Sequence, residues 1–125
     1  MRVRTLIVVL ALLLAGQVGW LRAADVSGKW SATFNTDAGE QQYTYEFVVK
    51  GTELTGTAKG NLTGESKISD GKVDGEKISF VENASFQGMP LRIEYSGAMT
   101  SADEIKFTRK VADIATEQLV AKRQK

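Results

Sequence analysis

From Asp25 to the C-terminus, apolar side chains return at every second position, and turn-forming residues interrupt the pattern roughly every 10 residues. A strand sends alternate side chains to opposite faces, so this spacing commits the region to β-structure with one apolar face. The clearest case sets Tyr43, Tyr45, Phe47 and Val49 on one side and Gln42, Thr44 and Glu46 on the other. No part of the region sustains helical periodicity.

Eight strands follow in order. The first, near Gly28 to Asn35, turns Trp30, Ala32 and Phe34 inward, and the second covers Gln41 to Lys50. Gly51-Thr52 connects it tightly to a third, Glu53 to Lys59, with Leu54, Gly56 and Ala58 inward. In the fourth, Gly64 to Asp74, Ile68 and Val73 fall on opposite parities, and an extra residue at Asp70-Gly71 reconciles them as a bulge. The fifth, Lys77 to Phe86, presents Ile78, Phe80, Ala84 and Phe86, and Gln87-Gly88 is a two-residue hairpin turn into the sixth. There Met89, Leu91, Ile93 and Tyr95 share the inward parity, while Pro90 points outward where a missing N–H is tolerable. Glu104 to Val111 buries Ile105 and Phe107, and Thr116 to Arg123 buries Leu119 and Ala121.

Sequential antiparallel strands with two open edges invite aggregation, and closing the sheet removes both edges. The expected fold is an all-β, eight-stranded antiparallel up-and-down barrel over residues 25–125, with a flattened β-sandwich of the same strands as the alternative. The chain enters at one end, to which the connections at Gly51-Thr52, Gly75 and Ser101 to Asp103 return. The other end collects the looser segments Asn35 to Glu40, Gly60 to Thr63, Gln87-Gly88 and Ala112 to Ala115 and is the expected mouth.

Residues 1–24 lie outside this pattern. Arg2 and Arg4 precede an apolar run from Leu6 to Leu14, and small residues end at Ala23 and Ala24, the layout of a helical, cleavable secretory signal. The run is too short for the roughly 20 residues that span a bilayer, so no stable membrane anchor is expected after cleavage. The mature chain is therefore expected in the periplasm or the medium. It carries 13 basic and 15 acidic residues, and no clustered positive surface for nucleic acid. A monomer is expected. The chain contains no Cys, so its stability must come from burial without disulfides.

His is also absent, which removes the usual general base, and with Cys the thiol nucleophile and the commonest zinc ligands. Neither a cofactor nor a metal is indicated, and the domain is expected to be non-catalytic. The charged residues of inward parity are Glu82, Arg109 and Glu117, all toward the mouth. Arg109 is expected to be neutralised there by one or both glutamates, because a lone buried charge is costly. The same group could hold the polar head of a small apolar or amphiphilic ligand whose body contacts Phe34, Tyr43, Phe86, Met89 and Phe107. The competing reading fills the interior with its own side chains and leaves the charges on a solvated rim. At the opposite end Arg123 falls on the inward parity beside Trp30, where a guanidinium stacked on the indole would plug the base.

Gly28-Lys29-Trp30 opening the first strand, Leu54-Thr55-Gly56-Thr57 in the third, and a basic residue near the end resemble the calycin group of lipocalins, avidins and fatty-acid-binding proteins. The resemblance implies that Trp30 and Arg123 are structural residues sealing the barrel base. The chain departs from that group in its missing disulfide and its shorter length, which argue against a large cavity. It is also similar to small exported β-domains of environmental bacteria, found alone or attached to secreted esterases and glycoside hydrolases. Gly28-Lys29-Trp30, Asp74 to Phe80, Phe86 to Met89 and Glu104 to Arg109 carry that similarity. Two functions follow as expectations: binding a small apolar or amphiphilic molecule, or an accessory role beside carbohydrate-active hydrolases, which would need an exposed aromatic platform.

Overall fold

The computed structural model describes residues 25–124, and the segment expected to be the secretory signal lies outside them. Eight strands run in chain order: β1 Gly28–Thr36, β2 Gly39–Lys50, β3 Glu53–Gly60, β4 Gly64–Asp74, β5 Lys77–Phe86, β6 Met89–Ser101, β7 Glu104–Val111 and β8 Ala115–Arg123. Each pairs antiparallel with the next and β8 returns to β1, closing the barrel. The sandwich alternative is therefore set aside. The strands exceed their expected limits chiefly in β6, which continues through Met99 to Ser101 and pairs there with β7.

β4 carries one extra residue between Lys67 and Gly71 against β3 and between Ser69 and Lys72 against β5, and Asp70, common to both, sits at φ 53°. This is the bulge that lets Ile68 and Val73 both turn inward. The Gln87-Gly88 turn has φ of 52° and 81°, the doubly positive geometry that matches the twist of a two-residue hairpin and that glycine adopts without strain.

An eight-stranded barrel is just wide enough for side chains to fill it. Here they do so with a column along β2, in which Phe34, Tyr43, Tyr45 and Phe47 stack at centroid spacings of 5.9, 5.4 and 5.7 Å. Phe80 stacks on Tyr95 at 4.3 Å, and Phe107 meets both edge-on. Such pairs add about 0.5–1.5 kcal/mol each beyond the burial of their area.

The base of the barrel is sealed by Trp30. Its indole Nε1 donates to the Val26 carbonyl at 2.9 Å, and the Arg123 guanidinium lies 4.4 Å from its ring centroid. Arg123 also donates to the carbonyls of Asp25, Ser27 and Ala102 and pairs with Asp103 at 3.4 Å. It thereby ties the chain's entry into the barrel to the β6–β7 turn. Gly28 makes room for it: its φ of 123° is a region side chains avoid, and a Cβ there would stand 3.3 Å from Arg123 Nη1.

Closure is uneven. β1 and β8 are in register only at Trp30 with Arg123 and Ser31 with Lys122, both at the base. Toward the mouth this ladder stops.

Candidate functional site

Arg109 enters the barrel from β7 opposite Glu117 of β8 and is 1% exposed. Its Nη1 donates to Gln41 Oε1 at 3.1 Å and its Nη2 to the Tyr43 hydroxyl at 3.2 Å. The guanidinium carbon stands 4.8, 5.2 and 5.8 Å from the ring centroids of Tyr43, Phe34 and Tyr95. Its Nε faces Glu117 Oε1 at 3.7 Å, an ion pair in which neither atom has a hydrogen bond.

Glu82, from β5, is wholly buried beneath this layer. Tyr43 donates to its Oε2 and Tyr95 to its Oε1, both at 2.9 Å. Because the Tyr95 hydroxyl has a single proton, the 2.9 Å contact between Tyr45 and Tyr95 is donated by Tyr45. Thr63 likewise donates to Tyr43, whose proton is committed to Glu82 and whose oxygen also accepts from Arg109. The result is a connected polar network inside an aromatic core. Burial raises the Glu82 carboxyl above the ordinary carboxylate range, opposed by the Tyr95 hydrogen bond and the nearby Arg109 charge. Burial and the Glu82 charge push the Tyr43 phenol up to about 12.

Above the network a cavity of about 270 Å³ opens at the mouth. Thr36, Asp37, Ala38 and Gln41 of the β1–β2 hairpin line one side, and Val111, Ile114, Ala115 and Glu117 of the β7–β8 hairpin line the other. Leu62, Thr63, Phe86 and Leu91 complete the wall, and Arg109 forms part of the floor. The cavity lies at the end of the barrel away from the two β1–β8 pairs. Its lips carry Leu62, Phe86 and Ile114 with large exposed apolar surfaces, Ile114 being 81% exposed. The β3–β4 connection is pinned by Asn61, which donates to the Glu40 carbonyl and accepts from the Gln42 amide.

The residues proposed from the sequence are not all brought together. Glu82, Arg109, Tyr43 and Phe34 form the floor and the layer beneath it, and Glu117 and Phe86 reach the cavity. Met89 does not: the turn at Gln87-Gly88 carries it beyond the rim, where it is 70% exposed despite its inward parity. Phe107 lies in the core against Phe80 and Tyr95, below the polar network, and does not line the cavity. The charges do not simply ring a solvated rim, since Glu82 and Arg109 are buried. Gln41, Thr63 and Tyr95 were missed. Tyr95 was expected inward by its parity and Gln41 shares the parity of Tyr43, whereas nothing in the sequence joins them to Arg109 or Glu82. Among the described residues no group of three or more acidic, His or Cys side chains could hold a metal ion.

Fold and site together define a small, closed, antiparallel eight-stranded barrel with a polar interior network and one open mouth. Two solved structures share this architecture. A de novo designed fluorescence-activating β-barrel matches with a TM-score of 0.57 and 20% identity over 82% of this chain and 96% of its own. EF1p2_mFAP2b bound to DFHBI matches with a TM-score of 0.58 and 16% identity over 83% and 98%. At these identities the likeness is one of fold. No protein-family model and no curated protein matches the chain.

Proposed function

We propose that this chain is an exported, non-catalytic, calycin-like barrel that holds a small apolar or amphiphilic molecule at its open end. The observation that carries the reading is the apolar cavity of about 270 Å³ over the Arg109 floor. Concave, mainly apolar sites with a few placed polar groups are the usual form of small-molecule sites. A structural neighbour of the same fold is itself bound to DFHBI. The interior carboxylate also suits a binding role: both Glu82 oxygens are held by tyrosine hydroxyls, an arrangement that fixes the group and leaves it no open approach to a substrate. The accessory role beside carbohydrate-active hydrolases finds less support, because Trp30, the tyrosines, and every phenylalanine except Phe86 are buried.

A molecule of this cavity's size has about nine non-hydrogen atoms, taking a water's share of liquid, about 30 Å³, as the unit. 1-Octanol is such a probe. Titrated into isotopically labelled protein, it is expected to give saturable NMR shifts at Leu62, Leu91, Ile114 and Ala115 while the signals around Trp30 stay still. Ala115→Trp, which fills the mouth, should abolish them. Unsaturable or scattered shifts in the unsubstituted protein would overturn the reading. Export is checked separately: expression of the full chain in a bacterial host should yield a periplasmic product whose mass corresponds to cleavage near Ala23 or Ala24. Full-length protein retained in the cytoplasm would contradict it.

A further inference from the structure

The polar side chains lining the cavity are unequally committed. Thr36 Oγ1 donates to the Gly39 carbonyl and accepts from Gln41 Nε2 and the Ala38 amide. Gln41 Oε1 is occupied by Arg109, and Thr63 is bonded to Tyr43. Arg109 is almost wholly buried, with both terminal nitrogens engaged and its faces covered by the rings of Phe34 and Tyr43. Glu117 differs. It is the half-buried acceptor of the lining that takes no hydrogen bond, held only by the 3.7 Å ion pair from one oxygen, with its side chain 14% exposed.

The surrounding charges favour the same partner. Two carboxylates, Glu82 and Glu117, stand near one guanidinium, and the other ionisable residue of the lining is Asp37 on the rim. A carboxylate ligand would meet a covered guanidinium and the negative charge of Glu117, which Arg109 contacts at one oxygen only. A hydrogen-donating head would meet an unused acceptor, and a positive charge would strengthen that contact.

We propose that the mouth selects an apolar molecule of about nine non-hydrogen atoms carrying a protonated amine, with Glu117 receiving the ammonium and Leu62, Phe86, Leu91, Val111 and Ile114 enclosing the body. The inference rests on the binding reading above and deepens it. Glu117 is then the residue that sets specificity, and Arg109 orients its carboxylate from beneath.

Three probes of equal length separate the two claims: octylammonium, 1-octanol and octanoate, each titrated against the mature protein at neutral pH and read by NMR shifts at the mouth. Octylammonium is expected to bind about tenfold or more tightly than 1-octanol, the ratio a charge-assisted hydrogen bond at a half-buried site supports, with octanoate weakest. Glu117→Gln should weaken octylammonium binding about tenfold or more and so remove the ammonium preference over 1-octanol. Octanoate binding as tightly as octylammonium in the unsubstituted protein would overturn the proposal, and that measurement needs no variant to fold. In that case 1-octanol binding would keep the broader reading intact, whereas failure of all three probes would remove both.

Discussion

Arg109→Met is expected to be among the most destabilising single substitutions in the domain, lowering unfolding free energy by about 3–5 kcal/mol at pH 7. Methionine fills much of the space but leaves Glu82 as an uncompensated charge in a fully buried site and Gln41 Oε1 without its donor. Small domains have about 5–15 kcal/mol to lose. The effect should depend on pH in a defined direction. The Glu82 carboxyl is raised in the folded state, so the native protein binds a proton more readily than the unfolded chain. Its contribution to stability is therefore greatest below the ordinary value near 4.5 and is lost as pH rises through the raised folded value. Removing Arg109 takes away the charge that opposes this shift and steepens the loss. Urea unfolding at pH 7 and at pH 4.5 should show the gap between variant and unsubstituted protein narrowing at the lower pH. Glu82→Gln combined with Arg109→Met should recover about 2 kcal/mol at pH 7, because the fully buried carboxylate is then neutral and only Glu117, at the cavity, has lost its cation. A gap that is unchanged or wider in acid would show that the network is not electrostatically coupled.

Trp30→Ala should cost a similar amount, about 3–5 kcal/mol, through lost packing and the cavity left behind. Trp30 is fully buried, and its removal also takes the platform from Arg123 and the donor from the Val26 carbonyl. Arg123→Met alone should cost less, about 1–2 kcal/mol, since the guanidinium is partly solvated. The two substitutions share one contact, so the double variant should be less destabilised than the two single costs together. Strict additivity in a double-mutant cycle would mean that the stacking contributes nothing. Loosening the seal should also expose the one stretch where β1 and β8 are in register, so faster amide exchange at Ser31 and Lys122 is expected in Trp30→Ala.

The strands were legible in the sequence because a pleated ribbon with one buried face must alternate, and β2 does so from Gln41 through Val49. The bulge at Asp70 was legible for the same reason, since Ile68 and Val73 could share a face only if one residue were looped out. Parity also placed Trp30, Glu82 and Arg109 inside. It failed at Met89, where a tight turn ends the pleat and the side chain leaves the barrel. Parity fixes a side but no depth, which is why Phe107 was grouped with the mouth although it lies in the core.

Local chain chemistry thus determined the β-structure, the turns and most of the inward residues, and the structure decided closure over the sandwich alternative. Tertiary structure alone decided which of those residues meet. Gln41 and Arg109 are 68 positions apart, and Tyr43 and Glu82 are 39 apart. Their contacts depend on the stagger of all eight strands around the barrel, a quantity to which every ladder contributes and which no single segment encodes. The same stagger confines the β1–β8 register to the base and brings residues of four separate connections together around the cavity at the other end.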